Sequence, residues 1–195
     1  MVERKKFIAN SEQYFHLLRH FICISAEEKF FLIDKGYSDL QIEEQLHVPG
    51  SKFFSSFVEG PLALIDRLNS IPETYSFFQD KETMVFLWDM RMVNEENSIG
   101  TDGIVCLDNL DSIEKQKIYL SKRGSFDAQF YPSIIYPSTT QIVLVAKVLD
   151  QGFVLKTCFP GIYAPPFPAT WMDVETNEKA EKFWNKHAFI VSSHN

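Results

Sequence analysis

Gln141-Ile142-Val143-Leu144-Val145-Ala146-Lys147-Val148-Leu149, the polar break Asp150-Gln151-Gly152, and then Val154-Leu155-Lys156-Thr157-Cys158-Phe159 form the stretch that decides the fold of this chain. Two runs rich in β-branched and apolar residues, parted by a short break containing Gly, predict a β-hairpin. Pro160 cannot donate to a ladder and Gly161 favours a turn, so the second strand is expected to stop at Phe159. Pro165, Pro166 and Pro168 predict an extended segment with no regular hydrogen bonding of its own. A tight hairpin running into a proline-fixed loop presents Lys156, Thr157 and Tyr163 at a sheet edge, where function is expected.

Upstream, the chain reads as helical. Tyr14, Leu17, Leu18 and Phe21 fall at helical spacing within 7–24. Ser25 and Glu28 make a capping-box pattern for a second helix running to about Lys35, with Gly36 as its stop. Ser38 to Gln41 repeats the pattern for a short third helix. A fourth helical segment is expected over 52–59 and a fifth over 61–69, with Pro61 in its first turn. Residues 36–48 resemble the first half of a helix-turn-helix. The segment that follows, Lys52-Phe53-Phe54-Ser55-Ser56-Phe57-Val58-Glu59, is too apolar to read base edges, so DNA is not the expected partner. His16 and His20 sit four apart, as zinc ligands can, but no third ligand accompanies them and half-buried helix histidines are expected.

Composition bounds the reading. The 195 residues, 45% hydrophobic with 18 Phe, suit a packed globular protein. No apolar run approaches the roughly 20 residues that span a bilayer, and no signal-peptide pattern follows the charged start. A cytoplasmic location, or delivery into a target cell's cytoplasm, is expected. Cys23, Cys106 and Cys158 are odd in number and widely spaced, and are expected as small buried hydrophobes. The net charge of −7 counts against tight non-specific binding of nucleic acid, though a local cationic cluster would suffice for a cleft.

Between the two halves, 83–90 reads as a buried strand or a packed helix, and 104–107 as a short strand. A helix is expected over 113–120, ended by the basic turn Ser121-Lys122-Arg123-Gly124-Ser125, where cations suit the helix dipole. The stretch 126–136 reads as irregular. An amphipathic helix is expected over 176–186, with Ala180, Phe183 and Trp184 inward, and a final short strand over 187–191.

Ile99-Gly100-Thr101-Asp102-Gly103-Ile104-Val105, the apolar strand, Lys156-Thr157-Cys158-Phe159-Pro160-Gly161-Ile162-Tyr163 with its prolines, and Phe183-Trp184-Asn185-Lys186-His187 carry a resemblance. Over its C-terminal half the chain resembles bacterial toxin domains of the barnase/RelE/colicin-like endoribonuclease group. The resemblance implies metal-independent cleavage of RNA by attack of the ribose 2′-OH, without a cofactor. It implies Lys122 and Arg123 on the phosphate, Lys156 and Thr157 beside it, and Tyr163 or His187 as acid or base. RNA would be the substrate, and an immunity or antitoxin protein a partner. The chain departs from the group where a histidine is expected in or just before the central strands, since Thr139-Thr140 stand there.

Other templates fail: there is no Gly-x-Ser-x-Gly elbow, no phosphate-binding Gly-rich loop and no His-Glu-x-x-His. The expected fold is α+β, with an N-terminal bundle of short helices over 1–71 and a small antiparallel sheet with flanking helices over 72–195. The leading function is a toxin-type endoribonuclease. The alternative is a non-catalytic interaction protein on a toxin-like scaffold, which predicts an exposed apolar patch on the helical half.

Overall fold

A computed structural model of the chain describes residues 6–48, 50–71, 76–80, 83–93, 97–103, 119–123, 126–130, 137–165, 168, 170–187 and 189–191. The fold is α+β. In chain order the elements are β1 (Phe7–Ile8), α1 (Ser11–Leu17), α2 (Ala26–Asp34), α3 (Asp39–Leu46), β2 (Lys52–Phe53), α4 (Pro61–Ser70), β3 (Ser76–Asp80), β4 (Thr83–Asp89) and β5 (Gly100–Thr101). They continue with β6 (Tyr119–Arg123), β7 (Phe126–Phe130), β8 (Ser138–Thr139), β9 (Gln141–Leu149), β10 (Gly152–Pro160), α5 (Val174–His187) and β11 (Phe189–Val191).

Two compact units result, each built from separated stretches: residues 1–103 with 138–162, and residues 104–137 with 163–195. The helices of the first 71 residues and the central sheet belong to one unit, which therefore runs across the 71/72 division drawn from sequence.

The first unit is organised on the hairpin β9–β10. Its sheet has the order β1-β10-β9-β4-β3. All pairings are antiparallel except β1 on β10, where Phe7 lies opposite Phe153 and Ile8 opposite Val154, so the sheet is mixed rather than purely antiparallel. The expected helix over 7–24 thus begins as a strand, and Asn10 starts α1 by a capping box with Gln13. Gly152 makes this arrangement feasible. Its φ is +153°, and a Cβ there would lie 2.5 Å from the Lys6 carbonyl oxygen. Asn69 of α4 closes β1 from outside: Phe7 N donates to Oδ1 at 2.8 Å and Nδ2 donates to Phe7 O at 2.9 Å. The second strand ends at Pro160, opposite Ile142, one residue beyond expectation.

Alternate residues of the strands build the core. Phe86 and Trp88 of β4, Ile142, Leu144 and Ala146 of β9, and Leu155 and Cys158 of β10 are buried with Leu17, Phe21, Leu64, Ile65 and Leu68 from the helical segments. Phe7 meets Phe86 and Trp88 edge-on, with centroids 5.3 and 5.8 Å apart. Leu18, Leu32 and Ile42 form a second cluster that holds α2 and α3. Cys158 is buried as expected, whereas Cys23 is exposed, in the irregular segment ahead of α2. Cys106 lies outside the described residues.

Two helix expectations and one of irregular structure fail for one reason: backbone pairing overrides local pattern. Lys52 and Phe53 are strand, paired with Thr101 and Gly100, in the sheet β2-β5-β8. The segment after α3 is therefore no recognition helix. Tyr119–Arg123 is strand, in the sheet β11-β7-β6 of the second unit, so Lys122 and Arg123 do not close a helix. Phe126–Phe130, expected as irregular, is its antiparallel partner. The strand expected over 104–107 and the helix over 113–118 lie outside the described residues.

Candidate functional site

The sequence-derived site residues divide between the units. Lys156 and Thr157 belong to the first; Lys122, Arg123, Tyr163 and His187 belong to the second. In the second unit, Lys122 and Arg123 lie opposite Asp127 and Phe126. His187 ends α5, and two residues later Phe189 pairs with Gln129, which also faces Leu120. The basic pair therefore sits further along the sheet, toward the β6–β7 end. Tyr163 is exposed at the start of the proline segment. Trp184 anchors that segment, its Nε1 donating to Pro165 O at 3.1 Å.

In the first unit a bulge parts the two neighbours. Leu155 pairs with Ala146 and Thr157 with Val145, so Lys156 is the extra residue of β10. Its Nζ donates to Thr83 Oγ1 at 3.2 Å on the surface. Thr157 instead meets His20, with Oγ1 and Nε2 3.5 Å apart. Bulged strands re-aim side chains, and here consecutive candidates engage different partners.

His20, read from sequence as half of a spacing to His16, is the polar centre beneath β10. Its Nδ1 lies 3.3 Å from Ser51 O and 3.2 Å from Ser51 Oγ. A carbonyl oxygen only accepts, so Nδ1 carries the proton and Nε2 is the acceptor for the Thr157 hydroxyl. The Phe159 ring lies 5.5 Å away. Burial pushes the imidazole pKa down to about 3, with Arg19 and Lys52 adding to the effect. The ring is thus neutral at physiological pH. Among the described residues, no three His, Cys, Asp or Glu side chains gather as metal ligands would.

Lys52 lies beside this cluster. Its Nζ donates to Arg19 O at 2.7 Å and Leu46 O at 2.6 Å, capping the carbonyl ends of the short helix after α1 and of α3. Burial and the nearby Arg19 lower its pKa to about 8. Arg19, His20, Ser51, Lys52 and Thr157 therefore tie three chain segments together.

A different feature stands on α2 and α3. Phe30 is 70% exposed, Ile33 42% and Leu40 68%. Phe30 and Ile33 share one face of α2, a turn apart. Lys29 Nζ bonds Asp39 Oδ1 at 2.9 Å, which brings the residue before Phe30 against the residue before Leu40. The signal was legible: Phe30-Phe31-Leu32-Ile33 are four consecutive apolar residues, and at about 100° per residue they sweep too wide an arc for one buried stripe. Leu32 takes the core and Phe30 is left outside. The second unit exposes Trp171 and Val174.

No protein-family model matches the chain, and neither the curated proteins nor the solved structures hold a significant match.

Proposed function

We propose that the chain is a non-catalytic protein-interaction module that binds a partner through the α2–α3 surface. The observation that carries this reading is the exposure of Phe30, Ile33 and Leu40 together on two joined helices. Large apolar side chains ringed by charge are the usual anchors of a protein interface. The toxin-like pattern of the C-terminal half extends the reading to a partner of immunity or antitoxin type. The test places a photo-cross-linking residue at position 30 and, in a control, at the exposed Glu12 of α1. One discrete adduct from position 30, absent from position 12 and abolished by Leu40→Ser, is expected. Equal labelling from both positions, or none from position 30, overturns the reading.

A second reading, the metal-independent endoribonuclease, is favoured by one contact, that of His20 with Thr157. It supplies from the helical half the histidine that the central strands lack. A general base works best with a pKa near the working pH. At about 3, His20 is a weak base at neutrality, and this ranks the binding reading first.

A further inference from the structure

We infer that the occupant of the α2–α3 surface is a cationic amphipathic helix carried by a partner protein. The inference rests on the interaction reading above and specifies its chemistry.

Charge decides between occupants. Residues 26–46 hold six acidic residues, of which Glu28 is buried against α4, and two lysines. Both lysines are already engaged: Lys29 with Asp39 and Glu43, and Lys35 with Asp34 at 3.0 Å. Glu27 and Asp34 flank the Phe30 face of α2, while Glu43 and Glu44 flank Leu40. Among the described residues, neither Glu27 nor Glu44 has an ion-pair partner. The charged rim beside the exposed apolar side chains is therefore net negative.

A second copy of this chain would set carboxylates against carboxylates, which opposes association. Nucleic acid and anionic bilayers are repelled by the same rim. A partner with apolar residues along one stripe and Lys or Arg on both flanks satisfies both features at once. A helix supplies that stripe, because residues three and four apart form a ridge that packs between the side chains of another helix.

The test titrates the full-length, isotope-labelled chain with a helical peptide of about 18 residues. The peptide has Leu on one face and Lys on its flanks. Two control peptides replace the Lys by Glu, or the Leu by Gln. Amide shift changes centred on residues 27–44, binding at least about tenfold tighter than either control near physiological salt, and loss in Phe30→Ser are expected. Equal binding of the Glu peptide removes the charge argument, equal binding of the Gln peptide removes the apolar one, and shifts centred elsewhere remove the site. If position 30 cross-links a partner but the Lys peptide fails to bind, this inference falls and the interaction reading stands. If neither occurs, both fall.

Discussion

The Glu28 side chain fills the space beside Gly60: a Cβ at position 60 would lie 2.5 Å from Glu28 Cδ. The relationship explains how α4 begins. Gly60 is its N-cap and has no side chain to offer, and Pro61 follows. Glu28, 34 residues before Leu62, takes over the capping: Oε1 accepts from Leu62 N at 2.7 Å and Ala63 N at 3.1 Å. Ser25 completes its half of the α2 capping box with Glu28 N. The Glu28 carboxylate turns away from its own helix to bind α4 to α2.

Gly60→Ala is therefore expected to destabilise the protein by about 2–4 kcal/mol, through a positive φ and the collision with Glu28. Urea unfolding of the two proteins measures it. A change below about 0.5 kcal/mol would show that Glu28 moves aside freely.

Burial raises the Glu28 pKa from 4.5 to about 7, with Glu27 and Asp66 adding to the rise against the two backbone donors. Because the folded pKa lies above the unfolded one, the stability from its neutral form is complete below pH 4.5 and is lost as pH rises through about 7. The wild type should lose stability relative to Glu28→Gln across that window. Parallel pH profiles would contradict the assignment.

His20 has the opposite sign. Its folded pKa of about 3 lies below 6.5, so its contribution is complete above pH 6.5 and is lost as pH falls toward 3. Relative to His20→Gln, the wild type should weaken on acidification below pH 6.5. His20→Ala removes the partner of Ser51 and Thr157 and is expected to cost about 1–3 kcal/mol.

Phe30→Ser and Leu40→Ser should leave stability within about 0.5 kcal/mol of wild type, since both side chains are largely in water. Leu144→Ala, in the core, should cost about 2–5 kcal/mol. Thermal melts of the three variants make the comparison. A large loss at Phe30 would mean that it packs within the fold and anchors no partner.

The elements with strong local signals were legible in the sequence: the hairpin from its two apolar runs and Gly152, α2 and α3 from Ser25 and Ser38, and α4 from Pro61. Local reasoning failed where distant pairing decides. Lys52-Phe53 becomes strand because Gly100-Thr101 lies beside it, and Phe7 because Phe153 does. Tyr119–Arg123 is strand although Ser121-Lys122-Arg123 reads locally as the basic last turn of a helix, because its partner β7 lies later in the chain. The meeting of His20 with Thr157 spans 137 residues of sequence and left no local mark. Gly60-Pro61 did leave one, a helix start with no capping side chain, but not the identity of the cap.

Cleavage of labelled RNA by excess purified protein in EDTA tests most directly the proposal that the His20–Thr157 contact is a structural tie within an interaction module. Intact RNA, with His20→Gln and Thr157→Ala altering stability alone, is the predicted result. Products with 2′,3′-cyclic ends that disappear in both variants would contradict it and establish a metal-free ribonuclease at β10.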